Sequence, residues 1–167
     1  MAKSTELRQL TEVFKQAGAQ NPELWAASQL DEGINQLGRF SFLKAISSTI
    51  LKEDETGWVD SQLSNGFPNS DIPGSQIVAA LKEMVEKSVS KEAIIDLIRV
   101  IQWETLAHVC ATIDGIYELE TPISKWGLFQ LDDDYNPSEQ ISGLNESLLE
   151  FDPSGKEMRP RNSEASR

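Results

Sequence analysis

Residues 90–115 read SKEAIIDLIRVIQWETLAHVCATIDG. Between Ile94 and Ile113, 13 of 20 residues are apolar. On a helix they point in every direction, the pattern of a helix buried on most sides. Val89 stands before the cap residue Ser90 and Ile94 lies four helical positions in, the hydrophobic-staple arrangement that fixes how a chain enters a helix. Gly115 supplies the natural stop. The segment is predicted as one helix from Lys91 to about Asp114, the centre of the domain.

The flanking sequence supplies helices to pack against it. Leu7, Leu10, Phe14 and Ala17 make one apolar stripe over residues 5–17, ended by Gly18. Asn21-Pro22-Glu23 reads as an N-cap followed by proline at the first helical position. The helix it starts is weakened by Gly33 and Gly38, each costing about 1 kcal/mol relative to alanine. Either one bent helix or two meeting near Gly38 is expected before Phe40, Leu43, Ile46 and Ile50 resume the period. In residues 52–73 Trp58, Val59 and Leu63 are expected to make a turn or two of helix; the remainder is rich in turn formers, and the segment is expected to wrap over the core, anchored by Trp58 and Phe67. A further helix over residues 75–87 should turn Ile77, Leu81, Met84 and Val85 inward.

Beyond Gly115 the texture changes. Residues 126–131, WGLFQL, read as a strand, Asp132-Asp-Asp-Tyr-Asn-Pro137 as a turn, and residues near 140–142 as a returning strand. A short helix is expected at 145–151, then a turn at Asp152-Pro-Ser-Gly155. The fold class is therefore mainly α: a helical domain around one long central helix, with a small C-terminal acidic segment containing a β-hairpin. The chain should form a single domain over residues 1–151, with its acidic appendage at 116–151 and a loosely ordered tail at 152–167.

Charge sharpens this division. The chain of 167 residues carries a net charge of -12. Residues 111–151 hold one base, Lys125, and nine acids, and so supply -8 of it. Such a chain lacks the basic footprint that phosphate backbones require, which argues against nucleic acid as a ligand. No apolar run approaches the ~20 residues of a membrane span. The first sixteen residues contain no apolar secretory core. One Cys rules out an internal disulfide, so a cytoplasmic protein is expected.

Motifs for chemistry are missing. Neither phosphate-binding glycine loop occurs, and no nucleophile elbow does. His108 and Cys110 lie two residues apart, about 200° around a helix, so they point away from each other. Asp132, Asp134, Asn136 and Ser138 occupy the 1, 3, 5 and 7 spacing of a calcium loop. Pro137 and Gly143 stand where that loop needs glycine and glutamate. No catalytic residue, cofactor or metal is therefore assigned. Two constellations remain: Glu104 and His108, one turn apart, could line a polar pocket if that half of the helix is buried. Asp132, Asp133 and Asp134, with Trp126 nearby, could form an acidic interface.

The sequence thus favours a non-enzymatic intracellular binding protein, of the inhibitor or immunity kind, that neutralises a basic protein partner. The alternatives are a structural or oligomeric protein whose acidity serves solubility, and a small enzyme or ligand-binding domain with a pocket near Glu104 and His108.

Overall fold

A computed structural model describes residues 2–66, 73–117 and 126–161. Phe67, expected as an anchor, lies outside them. Among the described residues the chain is mainly helical: α1 (Ala2–Gln16), α2 (Pro22–Glu32), α3 (Gln36–Ser47), α4 (Gly57–Asn65), α5 (Gln76–Glu86), α6 (Lys91–Ile113) and α7 (Leu144–Ser147). Strands β1 (Leu128–Leu131) and β2 (Pro137–Ile141) form an antiparallel hairpin, and a 3-10 turn (Leu148–Phe151) follows α7. No helix among the described residues is long and apolar enough to cross a membrane.

The chain divides into two compact units. Residues 1–47 and 106–151 form the first, and residues 48–105 and 152–167 the second. The boundary falls within α6, whose last turns belong to the first unit.

In the first unit the helices close on aromatic rings. Phe14, Trp25, Phe40 and Phe151 contact one another with ring centroids 5.1–6.1 Å apart, mostly edge to face. That arrangement sets the positive ring edge against the negative face. Phe14, Ala26 and Phe40 are buried at the centre of this cluster. The break between α2 and α3 lies at residues 33–35, upstream of the Gly38 junction expected from sequence. Gly33 ends α2 in the left-handed region (φ 68°), and its N–H reaches the Gln29 carbonyl. Asn35 then caps α3, its Oδ1 accepting from the Gly38 N–H at 2.8 Å. A Cβ at Gly38 would come within 2.7 Å of that capping side chain, so this glycine belongs inside the first turn of α3.

The second unit has its own core of Val59, Leu81, Ile94 and Ile95, with Trp58, Leu63, Ile77 and Met84 against it. The helical turns expected at Trp58, Val59 and Leu63 lie in α4. Ser90 caps α6 through the Ala93 N–H at 3.2 Å. Val85, expected inward, is exposed, and Val78 takes its place in the core.

Two further expectations are corrected. Helix α6 is not buried all round: Leu97, Val100, Ile101 and Val109 are each about half exposed. An excess of apolar residues fixes how much surface a helix can bury but not which sides receive a neighbour. The segment after Phe151 is not loose where it is described. Its Asp152 is buried and pairs with the buried Arg99 at 3.0 Å. The Asp152 carboxylate also accepts from the N–H groups of Ser154, Lys156 and Met158 at 3.0–3.2 Å. Arg99 donates in addition to the Leu51 carbonyl at 3.1 Å and to the Ser154 hydroxyl. Arg161 pairs with Asp96 at 2.7 Å, and Lys156 with Glu53 at 2.7 Å. Polar residues therefore order this loop, which apolar content alone could not foretell.

Candidate functional site

The hairpin of the first unit carries the acidic residues singled out from sequence. Side chains alternate along a strand. On the inner face Ile141 is buried opposite Leu128, and Gln130 accepts a hydrogen bond from Asn35 Nδ2 at 2.9 Å. Phe129 and Leu131 fall on the other face, each about half exposed. Trp126, just before β1, is also about half exposed, and its indole N–H donates to the Thr112 carbonyl at 3.0 Å. That bond fixes the ring while leaving much of it accessible.

The turn is built by its own residues. The Asp132 N–H donates to the Asn136 carbonyl, and the Tyr135 N–H to the Asp132 carbonyl, each at 3.0 Å. The Asp132 carboxylate accepts from the N–H groups of Asn136 at 2.8 Å and Asp134 at 3.0 Å. The Asn136 bond, more than any other, holds the Asp132 carboxyl below the usual carboxylate range. Asp132 is thus engaged in shaping the turn. Asp133 and Asp134 are exposed beside it.

Between the paired ends Asp132 and Asn136 lie three residues, the last in the left-handed region. This is a three-residue hairpin loop, and its left-handed position ordinarily belongs to glycine. Here it holds Tyr135, at φ 63° and 83% exposed. The sequence reading missed Tyr135. The signal was present: in Asp-Asp-Asp-Tyr-Asn-Pro, a three-residue loop puts the tyrosine where glycine is favoured. Trp126, Phe129, Leu131 and Tyr135 are therefore apolar groups presented on the unit that carries the acidic run.

The other constellation fares differently. Glu104 and His108 are both exposed, so the desolvation that a polar pocket requires is missing. The His108 ring stacks on Tyr117, with centroids 6.0 Å apart and planes 15° from parallel. Cys110 is fully buried, and burial, helped by the nearby Asp114, pushes its thiol up to about 11. A thiol so placed stays protonated and is a poor nucleophile. Among the described residues no cluster of three or more His, Cys, Asp or Glu is arranged to hold a metal ion.

No protein-family model matches the chain, and no curated protein or solved structure matches it.

Proposed function

We propose that the chain is a non-enzymatic binding protein that captures a basic protein partner through the hairpin of its first unit. The observation that carries the reading is Tyr135, a large aromatic side chain held in a left-handed backbone conformation and almost wholly exposed. That conformation costs a residue with a Cβ about 1–2 kcal/mol. Backbone strain of this kind concentrates at sites of function. Tyrosine and tryptophan are favoured anchors at interfaces, because a rigid ring buries much area at little entropic cost. Asp133 and Asp134 add charge complementary to a basic surface, which speeds encounter and selects the partner. An inhibitor or immunity-type role in the cytoplasm is the form of this function most consistent with an acidic chain.

The test is affinity capture from source lysate at low and high salt, followed by reconstitution with the purified captured protein. A single basic protein held at low salt, released at high salt and lost by a Tyr135→Gly variant supports the reading. Capture of no basic protein, or undiminished capture by the variant, overturns it.

A second reading, self-association, is favoured by Leu97, Val100 and Ile101, which share one exposed side of α6 within the second unit. It expects a dimer by sedimentation equilibrium that a Leu97→Asp variant loses.

A further inference from the structure

Strand β1 has β2 on one side and, among the described residues, no strand on the other. The two strands are not equally guarded. β2 lies beside α3, opens on Pro137 and carries Glu139. It also holds an extra residue, since Phe129 pairs with Gln140 but Leu131 with Pro137. Proline, charge and bulges are among the means by which a sheet edge is kept from pairing with another chain. β1, Leu-Phe-Gln-Leu, has neither charge nor proline.

The direction of its backbone groups follows from two bonds. The Asp132 N–H donates to the Asn136 carbonyl at 3.0 Å, and the Gln130 carbonyl accepts from the Ser138 hydroxyl at 3.0 Å. Residues 130 and 132 therefore face β2. Along an antiparallel pair, residues alternate between facing the partner strand and facing away from it. Phe129 and Leu131 thus turn both N–H and C=O outward, and their side chains are about half exposed. Immediately beyond them Asp133 and Asp134 are exposed.

We infer that the basic partner contributes an extended segment that adds to β1 as a third strand, with apolar side chains beside Phe129 and Leu131 and a lysine or arginine toward Asp133 and Asp134. In this mode of recognition main-chain hydrogen bonds supply affinity and alternate side chains supply selectivity. Charge complementarity chooses the occupant, because an acidic strand on this edge would end against like charge. Strand addition rests on the proposed capture of a basic protein and specifies which part of that protein meets the hairpin.

Isothermal titration of the whole chain with blocked hexapeptides tests it. The probes are Lys-Val-Lys-Val-Lys-Val, its two analogues N-methylated on the lysines alone or on the valines alone, and Glu-Val-Glu-Val-Glu-Val. Successive N–H groups of a strand point to opposite sides, so one analogue blocks the edge that meets β1 and the other leaves it free. The parent is expected to bind. One analogue should bind at least about tenfold more weakly and the other as the parent does, since only one forfeits its hydrogen bonds to the protein. The glutamate peptide should not bind. Leu131→Pro removes one outward N–H, a change that an edge strand tolerates, and should weaken the parent about tenfold. No binding by the parent, equal binding by the two analogues, a glutamate peptide as tight as the parent, or undiminished binding to Leu131→Pro overturns strand addition. A captured basic protein that Tyr135→Gly releases and Leu131→Pro retains also overturns it, while leaving the capture itself intact. Should Leu131→Pro fail to fold, the peptide series on the natural chain decides.

Discussion

At Tyr135 stability and the proposed recognition pull in opposite directions. Glycine adopts φ 63° freely, whereas tyrosine pays a steric cost between Cβ and its own backbone. Tyr135→Gly is therefore expected to stabilise the protein by up to about 1 kcal/mol in urea denaturation, because a side chain 83% exposed forfeits little packing. On the proposed function the same variant should also fail to capture a basic partner. Gly143 shows the reverse case. It sits at φ 71°, and a Cβ there would come within 2.1 Å of Arg39 Nη2. Gly143→Ala should cost about 2 kcal/mol or more, seen as a lower urea midpoint. For Cys110 the sign of the linkage follows from its raised value of about 11. The unfolded thiol ionises near 8.5–9 and the folded one does not. The contribution is complete below that range and is lost as pH rises toward 11. A disulfide reagent at pH 8 should therefore label Cys110 in urea and leave the folded chain unlabelled.

Among the elements, the loop at 152–161 depends most on a single contact. Burial opposes ionisation of Asp152. The N–H groups of Met158, Ser154 and Lys156 and the Arg99 guanidinium outweigh it and hold the carboxyl below its ordinary range. A depressed carboxyl stabilises the fold above its unfolded value of about 3.9 and loses that effect as pH falls through the lower folded value. Stability should thus be level in this respect from pH 7 to 5 and decline below about pH 4. Arg99→Met should cost about 3–5 kcal/mol, because Asp152 is left buried and unpaired. Such a loop could not be read from sequence: its partners lie from 53 to more than 100 residues apart, and spacing records only local geometry. The Asn21-Pro22 start and the Ser90 cap were legible for the opposite reason, since each involves neighbours in sequence. The hairpin was legible from its turn residues. The exposed side of α6 was not, because thirteen apolar residues do not say which neighbours they meet.

For the whole molecule, the division into two units reassigns the charge excess. The acidic run at 111–151 belongs to the unit that also contains α1 to α3 and the aromatic cluster. Asp132, Asp133, Asp134 and Trp126 were visible in the sequence as candidates. Their division of labour was not: Asp132 shapes the turn, Trp126 is tethered by its indole, and Tyr135 stands at the tip. Glu104 and His108 were visible as a spacing, but spacing carries no information on burial. Association led by exposed carboxylates should weaken steeply as salt shortens the Debye length from ~10 Å at 0.1 M to ~3 Å at 1 M. The most direct test compares the natural chain with an Asp133→Asn, Asp134→Asn, Tyr135→Gly variant in binding the purified captured partner at those two salt concentrations. A complex is expected at low salt with the natural chain alone, and its loss at high salt. Equal binding by the variant, or binding indifferent to salt, would contradict it.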